Sequence, residues 1–183
     1  VGYHGGMSER PRTSVAADHG SAASQCVSDT PELSIVVVSY NTRELTIAAL
    51  RSVLVETRAT TFEVIVVDNA STDGSVAAID ALDAPIRLIA NDVNLGFAAA
   101  NNQAAMQARG SFLLLLNPDT EIVDGAIDRL MSFQRQRPDA GIWGGRTVFA
   151  DGSLNPSSAW RRITLWNLFC RTAMLTGSFP RSP

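Results

Sequence analysis

With 183 residues, 45% hydrophobic and 18% charged, the chain has the composition of one globular domain with a sizeable core. A net charge of −3 argues against a nucleic-acid partner, and no apolar stretch approaches the roughly 18 residues needed to span a bilayer. Cys26 and Cys170 form neither a disulfide framework nor a zinc motif, and both histidines, His4 and His19, fall in the N-terminal tail, so a metal in the globular part would meet only oxygen ligands, which favours Mg²⁺ or Mn²⁺.

Residues 1–31 are rich in Gly, Ser, Ala, Asp and Thr without periodicity and are expected to be a disordered tail. They show no basic region followed by an apolar one, so no secretory signal is expected. From Leu33 a regular alternation begins. Leu33–Ser39 reads as a strand, Glu44–Glu56 as a helix with Leu45, Ala48, Ala49, Ser52 and Val53 at helical spacing, and Phe62–Val67 as a second strand. Ser71-Thr72-Asp73-Gly74 is a loop and cap feeding a short helix to about Leu82. Ile86–Ala90 is a third strand, and Gly96–Ala108, rich in alanine, a helix that ends at Gly110. Phe112–Leu116 is a fourth strand. Asp124–Arg137 is an amphipathic helix stopped by Pro138, Gly141–Phe149 a fifth strand, and Asp151-Gly152 a tight turn. Such alternation predicts an α/β fold, a Rossmann-like and mostly parallel sheet flanked by helices.

Three apolar runs stop abruptly at polar residues: Val38 gives way to Ser39-Tyr40-Asn41, Val67 to Asp68-Asn69, and Leu116 to Asn117-Pro118-Asp119. Continuous apolar runs suit strands buried on both faces of a parallel sheet. In open α/β sheets ligands bind beyond the carboxyl ends of such strands. The polar stops therefore stand where a ligand would be, and their acceptor-rich character suits a nucleobase, a ribose or a hard metal ion. Asp68 has two readings: an acceptor for a base N–H or a ribose hydroxyl, or a plain turn residue. Asn94 reads as a helix cap, with Gly96 permitting close approach of a ligand before Phe97. Asn101 sits mid-helix, where asparagine is a mediocre helix former. Pro118 stiffens its turn so that Asp119 projects in a defined direction; one carboxylate with diphosphate oxygens and waters is a common way to hold Mg²⁺ or Mn²⁺. The alternative is an ordinary Asn-Pro-Asp turn. No glycine-rich turn follows the first strand and no P-loop is present, which sets aside dinucleotide, ATP and sugar-1-phosphate nucleotidyltransferase readings.

Together, in this order, these segments resemble the family 2 glycosyltransferases of the GT-A fold, over about Leu33 to Ser158. Val38-Ser39-Tyr40-Asn41 is similar to that family's first-strand motif, and Asp68 to Ser75 to its base-binding loop. Asn94-Leu95-Gly96-Phe97-Ala98 is similar to its next donor-side motif. Asn117-Pro118-Asp119 stands where the family often has Asp-x-Asp; Asn117 replaces the first acid and leaves Asp119 as the one clear metal ligand. The Asn-Pro-Asp variant, with Asp151-Gly152-Ser153-Leu154-Asn155-Pro156-Ser157 downstream, resembles the rhamnosyltransferase branch.

The resemblance implies an inverting transfer of a sugar, rhamnose from dTDP-rhamnose, to a cell-wall or polysaccharide acceptor. It implies Mg²⁺ or Mn²⁺ at Asp119, a nucleotide-diphosphate sugar donor held by Ser39, Tyr40, Asn41, Asp68, Asn69, Asn94, Gly96, Phe97, Asn101 and Asn117, and a glycan or lipid-linked glycan as acceptor. The expected location is the cytoplasm, with peripheral association at the inner face of the plasma membrane where the acceptor is lipid-linked. The family's catalytic base lies in a later acidic motif that finds no match before Pro183. The expected organisation is thus a tail over 1–31, a nucleotide-sugar-binding domain over 32–158, and the incomplete start of an acceptor-side region over 159–183. The rival reading is a non-catalytic fragment that binds nucleotide-sugar.

Overall fold

The computed structural model describes residues 31–149 and 151–155; the expected disorder of the tail over residues 1–30 and the acceptor-side region from 159 onward fall outside them. The chain divides into two units, residues 1–131 and 132–183.

The first unit carries a four-stranded parallel sheet. Its strands are β1 (Leu33–Ser39), β2 (Phe62–Asp68), β3 (Ile86–Ala90) and β4 (Phe112–Leu116), with the helices α1 (Arg43–Glu56), α2 (Ser75–Asp80) and α3 (Phe97–Ala105) between them. Helix α4 (Ala126–Gln136) follows β4. The order across the sheet is β3-β2-β1-β4. The chain moves outward from β1 to β3 and then returns to the other side of β1, so the strand order reverses between β1 and β4. Such a switch point opens a crevice at the carboxyl ends of those strands.

Burial explains the arrangement. β1 and β2 are buried along their whole length, as their unbroken runs of Val and Ile require. One face packs Ile35, Val37, Val64 and Val66 against Leu50 and Val53 of α1, Ile79 of α2, and Ile127 and Met131 of α4. The other packs Val36, Val38, Ile65 and Val67 against Ala100 and Ala104 of α3, whose small side chains let that helix lie close.

β4 departs from the expectation of strands buried on both faces. Leu114 and Leu116 turn to the core, but Leu113 and Leu115 are 45% and 50% exposed. The cause is geometric: β4 is an edge strand, and α3 is seated on β1 and β2. The fifth strand over Gly141–Phe149 does not form. Among the described residues of the second unit Val148 bridges Leu154, antiparallel, around the Asp151-Gly152 turn, where Phe149 N–H donates to Ser153 O at 2.8 Å. Gly141, Gly144 and Gly145 give that segment little side chain to bury and a high ordering entropy. Among the described residues no helix is long and apolar enough to cross a membrane.

Carboxylates staple this frame. Asp128 of α4 accepts the N–H groups of Arg58, Ala59 and Thr60 at 2.8, 3.0 and 2.9 Å, fixing the turn between α1 and β2. At the opposite end of the sheet from the crevice, Glu63 is buried; it accepts from the Ser34 hydroxyl at 2.7 Å, the Arg109 N–H at 2.6 Å and the Arg109 Nε at 3.0 Å. Burial by itself would push the Glu63 carboxyl up. The bonds from Ser34 and Arg109, with the guanidinium charge, outweigh it and hold the carboxyl below its ordinary range. The same balance holds Asp128 down, with burial opposed by the three backbone N–H groups.

A native carboxylate with a depressed pKa stabilises the fold fully above its unfolded pKa, about 4.3 for Glu and 3.9 for Asp, and that stabilisation is lost as pH falls through the native value. Urea midpoints are therefore expected to drop between about pH 5 and pH 3. The deficit of Glu63→Gln relative to wild type should shrink over the same window. A deficit independent of pH would mean that the Glu63 charge adds nothing.

Candidate functional site

The three polar stops meet at one edge of the sheet. Ser39 is level with Asp68 across the β1–β2 pair, and Leu116 is level with Val37 across the β1–β4 pair. The Asn117-Pro118-Asp119 segment therefore leaves the sheet two strands away from Asp68. At about 4.8 Å per strand that is a separation of roughly 10 Å, a span suited to a ligand with a recognition group at one end and a charged group at the other.

Asp68 is 1% exposed. Its Oδ1 accepts the Ser71 N–H at 2.9 Å, which makes the turn. Its Oδ2 is buried and has no partner; among the described residues it is the only buried carboxylate oxygen so placed. A buried acceptor left unpaired costs about 1–3 kcal/mol and calls for an explanation. The two readings of Asp68 thus apply to different atoms: Oδ1 serves the turn, and Oδ2 awaits a donor.

Ser39 lies behind this edge, fully buried. Its hydroxyl is 3.0 Å from that of Thr46 and 3.2 Å from that of Thr42, and those two are 3.1 Å apart. Three hydroxyls in a closed triangle each give and accept one bond. Ser39 reaches the next strand through its carbonyl, which accepts the Asn69 N–H at 2.8 Å. Tyr40, half exposed, stands at the rim. Asn41 has a positive φ of 53°, which asparagine tolerates. Its N–H donates to Ser71 Oγ at 2.9 Å and its Oδ1 accepts the Thr72 N–H at 2.8 Å, tying the turn after β1 to the turn after β2.

Asp73 completes that tie. It accepts the first helical N–H of α1, from Arg43, at 2.9 Å, and that of α2, from Ser75, at 3.0 Å. One carboxylate thus caps two helix N-termini, a position favoured by both macrodipoles. The Ser75 hydroxyl also donates to it and, more than any other partner, holds the Asp73 carboxyl below its ordinary range.

Asn69 is buried, and both its amide nitrogen and its amide oxygen are bonded. Nδ2 donates to Asn94 Oδ1 at 2.7 Å, while Oδ1 accepts the Leu95 N–H at 3.0 Å and Asn91 Nδ2 at 3.2 Å. Asn94 Oδ1 also accepts the Gly96 N–H at 2.8 Å. Gly96 has φ 82° and ψ 162°, a region essentially confined to glycine. Phe97 opens α3 and is half exposed. Asn101, buried in α3, donates its Nδ2 to the Phe97 carbonyl one turn back at 2.9 Å. Asn91 and Gln103, which the sequence did not single out, pair their amides reciprocally at 3.0 and 2.9 Å. Asn91 follows β3 as a polar stop like the other three, and that signal was open to reading. Gln103 is a helix-forming residue in a helix and offered none.

Asn117 and Asp119 are both exposed. The chain after them is anchored to α1: Ile122 N–H donates to Ser52 Oγ at 2.8 Å and Gly125 N–H to Glu56 Oε2 at 3.2 Å. Among the described residues no group of three or more His, Cys, Asp or Glu converges on a metal position. A single accessible carboxylate still fits Mg²⁺ or Mn²⁺, which keep several waters and take one or two protein carboxylates beside substrate phosphates.

The family described as "Glycosyl transferase family 2" matches residues 34–180. The chain is 37% identical over 131 residues to the O-antigen biosynthesis protein RfbC of Myxococcus xanthus, covering 70% of this chain and 10% of that protein. A mannosyltransferase from Pyrobaculum calidifontis, solved in complex with GDP-Man and Mn²⁺, aligns with a TM-score of 0.53 and 25% identity over 57% of this chain and 32% of its own. TarS 1–349 of S. aureus, solved in complex with UDP-GlcNAc, aligns with a TM-score of 0.54 and 25% identity over 58% of this chain and 32% of its own. The chain spans a tenth of RfbC and about a third of each solved neighbour.

Proposed function

The chain belongs to glycosyltransferase family 2, and from that premise we propose that its first unit is the nucleotide-sugar-binding part of an enzyme building bacterial cell wall or polysaccharide. The observation that carries this reading is the unpartnered Oδ2 of Asp68, buried at the carboxyl end of β2 beside the switch point. A uracil, thymine or guanine ring presents a ring N–H, and a ribose its hydroxyls; either would satisfy that oxygen. Complexes of two structural neighbours with GDP-Man and UDP-GlcNAc support a nucleotide-sugar ligand.

In this reading the donor lies from Asp68 toward Asp119. Asn41, Ser71 and Thr72 fix the turns on one side, and Asn69, Asn94 and Gly96 fix the loop on the other. Ser39 acts through the frame, by its buried hydroxyl triangle and its carbonyl, and Asn101 by holding the first turn of α3. Tyr40, Phe97 and Asn117 stand at the exposed rim, where sugar and diphosphate would pass. Asp119 would hold the divalent cation, which offsets negative charge on the departing diphosphate. The Asn-Pro-Asp variant supports rhamnose from dTDP-rhamnose as donor, transferred with inversion to a glycan or lipid-linked glycan, with the enzyme working at the cytoplasmic face of the membrane.

Titration calorimetry with dTDP and UDP, with and without Mn²⁺, tests the reading. One carboxylate binds a hydrated cation weakly, so metal and nucleotide should bind cooperatively. Asp119→Asn keeps the shape and removes the charge. It should abolish the Mn²⁺ enhancement and leave thermal stability nearly unchanged, since Asp119 is exposed. Wild-type affinity indifferent to Mn²⁺ and to chelator would refute the metal role; no nucleotide binding at all would refute the donor site.

A further inference from the structure

We propose that Gln103 and Asn91 are positioning residues for donor binding: their reciprocal amide pair locks the Asn91–Gly96 loop against Asn69, beside Asp68. The proposal rests on the donor-binding reading above. Four amide side chains form one connected chain from α3 to the loop. Gln103 Nε2 donates to Asn91 Oδ1 at 2.9 Å, and Asn91 Nδ2 donates to Gln103 Oε1 at 3.0 Å and to Asn69 Oδ1 at 3.2 Å. Asn69 Oδ1 also takes the Leu95 N–H, and Asn69 Nδ2 reaches Asn94 Oδ1, which takes the Gly96 N–H. The Asn91 N–H donates to the Asp68 carbonyl at 2.9 Å, so the same residue is tied to the base-binding candidate through the backbone.

The network is directional in a way that gives it a function. An amide pair is satisfied only when each partner both gives and accepts. The Leu95 N–H fixes Asn69 Oδ1 as an acceptor, so Asn91 must turn its Nδ2 to it, and Gln103, paired to match, holds the Asn91 amide in that orientation. That in turn leaves Asn69 Nδ2 for Asn94. Were the Asn91 amide to reverse, two oxygens would face each other at Asn69 and the loop would lose its seat. The loop carries the half-exposed Leu95 and leads through Gly96, at a positive φ that glycine takes readily, into Phe97 of α3. Glycine loses more conformational freedom on ordering than any other residue, so the loop depends on its hydrogen bonds to be held. Gln103 therefore sets the loop without touching the ligand.

Gln103→Glu supplies a test that a merely structural role would not pass. A protonated glutamate gives and accepts as glutamine does; an ionised one only accepts. At about pH 7.5 the variant should lose hydrogen-exchange protection at the Leu95 and Gly96 amides relative to wild type and bind dTDP or UDP about tenfold more weakly, the effect of losing one to two hydrogen bonds. Lowered toward about pH 5, where a partly buried glutamate regains its proton, the variant-to-wild-type ratios of protection and affinity should both recover. Gln103→Ala should be weak at both pH values and covers the case in which the glutamate variant folds poorly. Unchanged affinity in both variants would overturn the proposal, as would loss of protection at the loop with affinity intact. If wild type bound no nucleotide, the proposal would fall together with the donor reading; a donor site that binds well but ignores Gln103 would sink the proposal alone.

Discussion

Replacing Gly110 with alanine is expected to lower the thermal midpoint by on the order of 10 °C, the equivalent of about 3 kcal/mol in a domain of this size. The reason is steric and lies between α3 and β4, far from the proposed ligand. A Cβ on Gly110 would fall 2.5 Å from the Ser34 nitrogen, 2.7 Å from the Leu33 carbonyl carbon and 2.8 Å from Ser34 Oγ. Two of these are backbone atoms of β1, the central strand, so no side-chain rotation relieves them. The approach is close because the Gly110 N–H donates to Ser34 Oγ at 2.8 Å, and Ser34 in turn donates to Glu63. Adding Ser34→Ala should not rescue the variant, because the clash with the Ser34 nitrogen and the Leu33 carbon remains. Gly144, which would meet nothing within 4 Å, is the internal control: Gly144→Ala should shift the midpoint little. A Gly110→Ala midpoint within 2 °C or so of wild type would show that the turn yields at small cost, and the close approach of the α3–β4 turn to β1 would lose its assigned importance.

Changing Asp68 is expected to cost the most binding. Asp68→Ala should weaken nucleoside diphosphate binding by about 1–3 kcal/mol, or roughly five- to 150-fold, through loss of a buried hydrogen bond. That substitution also removes Oδ1 from the Ser71 N–H, so Asp68→Asn is the sharper probe. Asparagine with its oxygen on Ser71 keeps the turn and puts an NH₂ where Oδ2 stood, which opposes a donor with another donor. The two variants should therefore bind comparably weakly while Asp68→Asn stays well folded by near-ultraviolet circular dichroism. Because wild type keeps an unpaired buried oxygen in the absence of ligand, Asp68→Asn should not be appreciably less stable; a site that gains affinity by leaving a group unsatisfied trades stability for function. Calorimetry showing wild-type affinity in Asp68→Asn would return Asp68 to a turn residue.

The sequence by itself determined the elements. β1, β3 and β4 occupy the residues their apolar runs mark, β2 extends by one, and each of the four helices lies within two or three residues of its periodic pattern. It also determined that Asp68, Asn69, Asn117 and Asp119 stand at strand ends, because a polar residue closing a buried run is a local signal. What only the tertiary structure decided depends on which elements abut. The four leucines of β4 read as buried on both faces, yet α3 leaves Leu113 and Leu115 open. Gly141–Phe149 read as a fifth strand, but its three glycines leave it little to bury, and among the described residues it bridges through Val148 to Leu154. Ser39 read as a ligand contact, and packing of α1 enclosed its hydroxyl with those of Thr42 and Thr46. The two oxygens of Asp68 received different surroundings that no one-dimensional pattern distinguishes. Asn91 and Gln103 met across 12 residues because β3 and α3 converge on Asn69. Periodicity records which residues avoid water, a property of each side chain. Hydrogen-bond partners are a property of pairs, and pairs exist only once the strands have chosen their order.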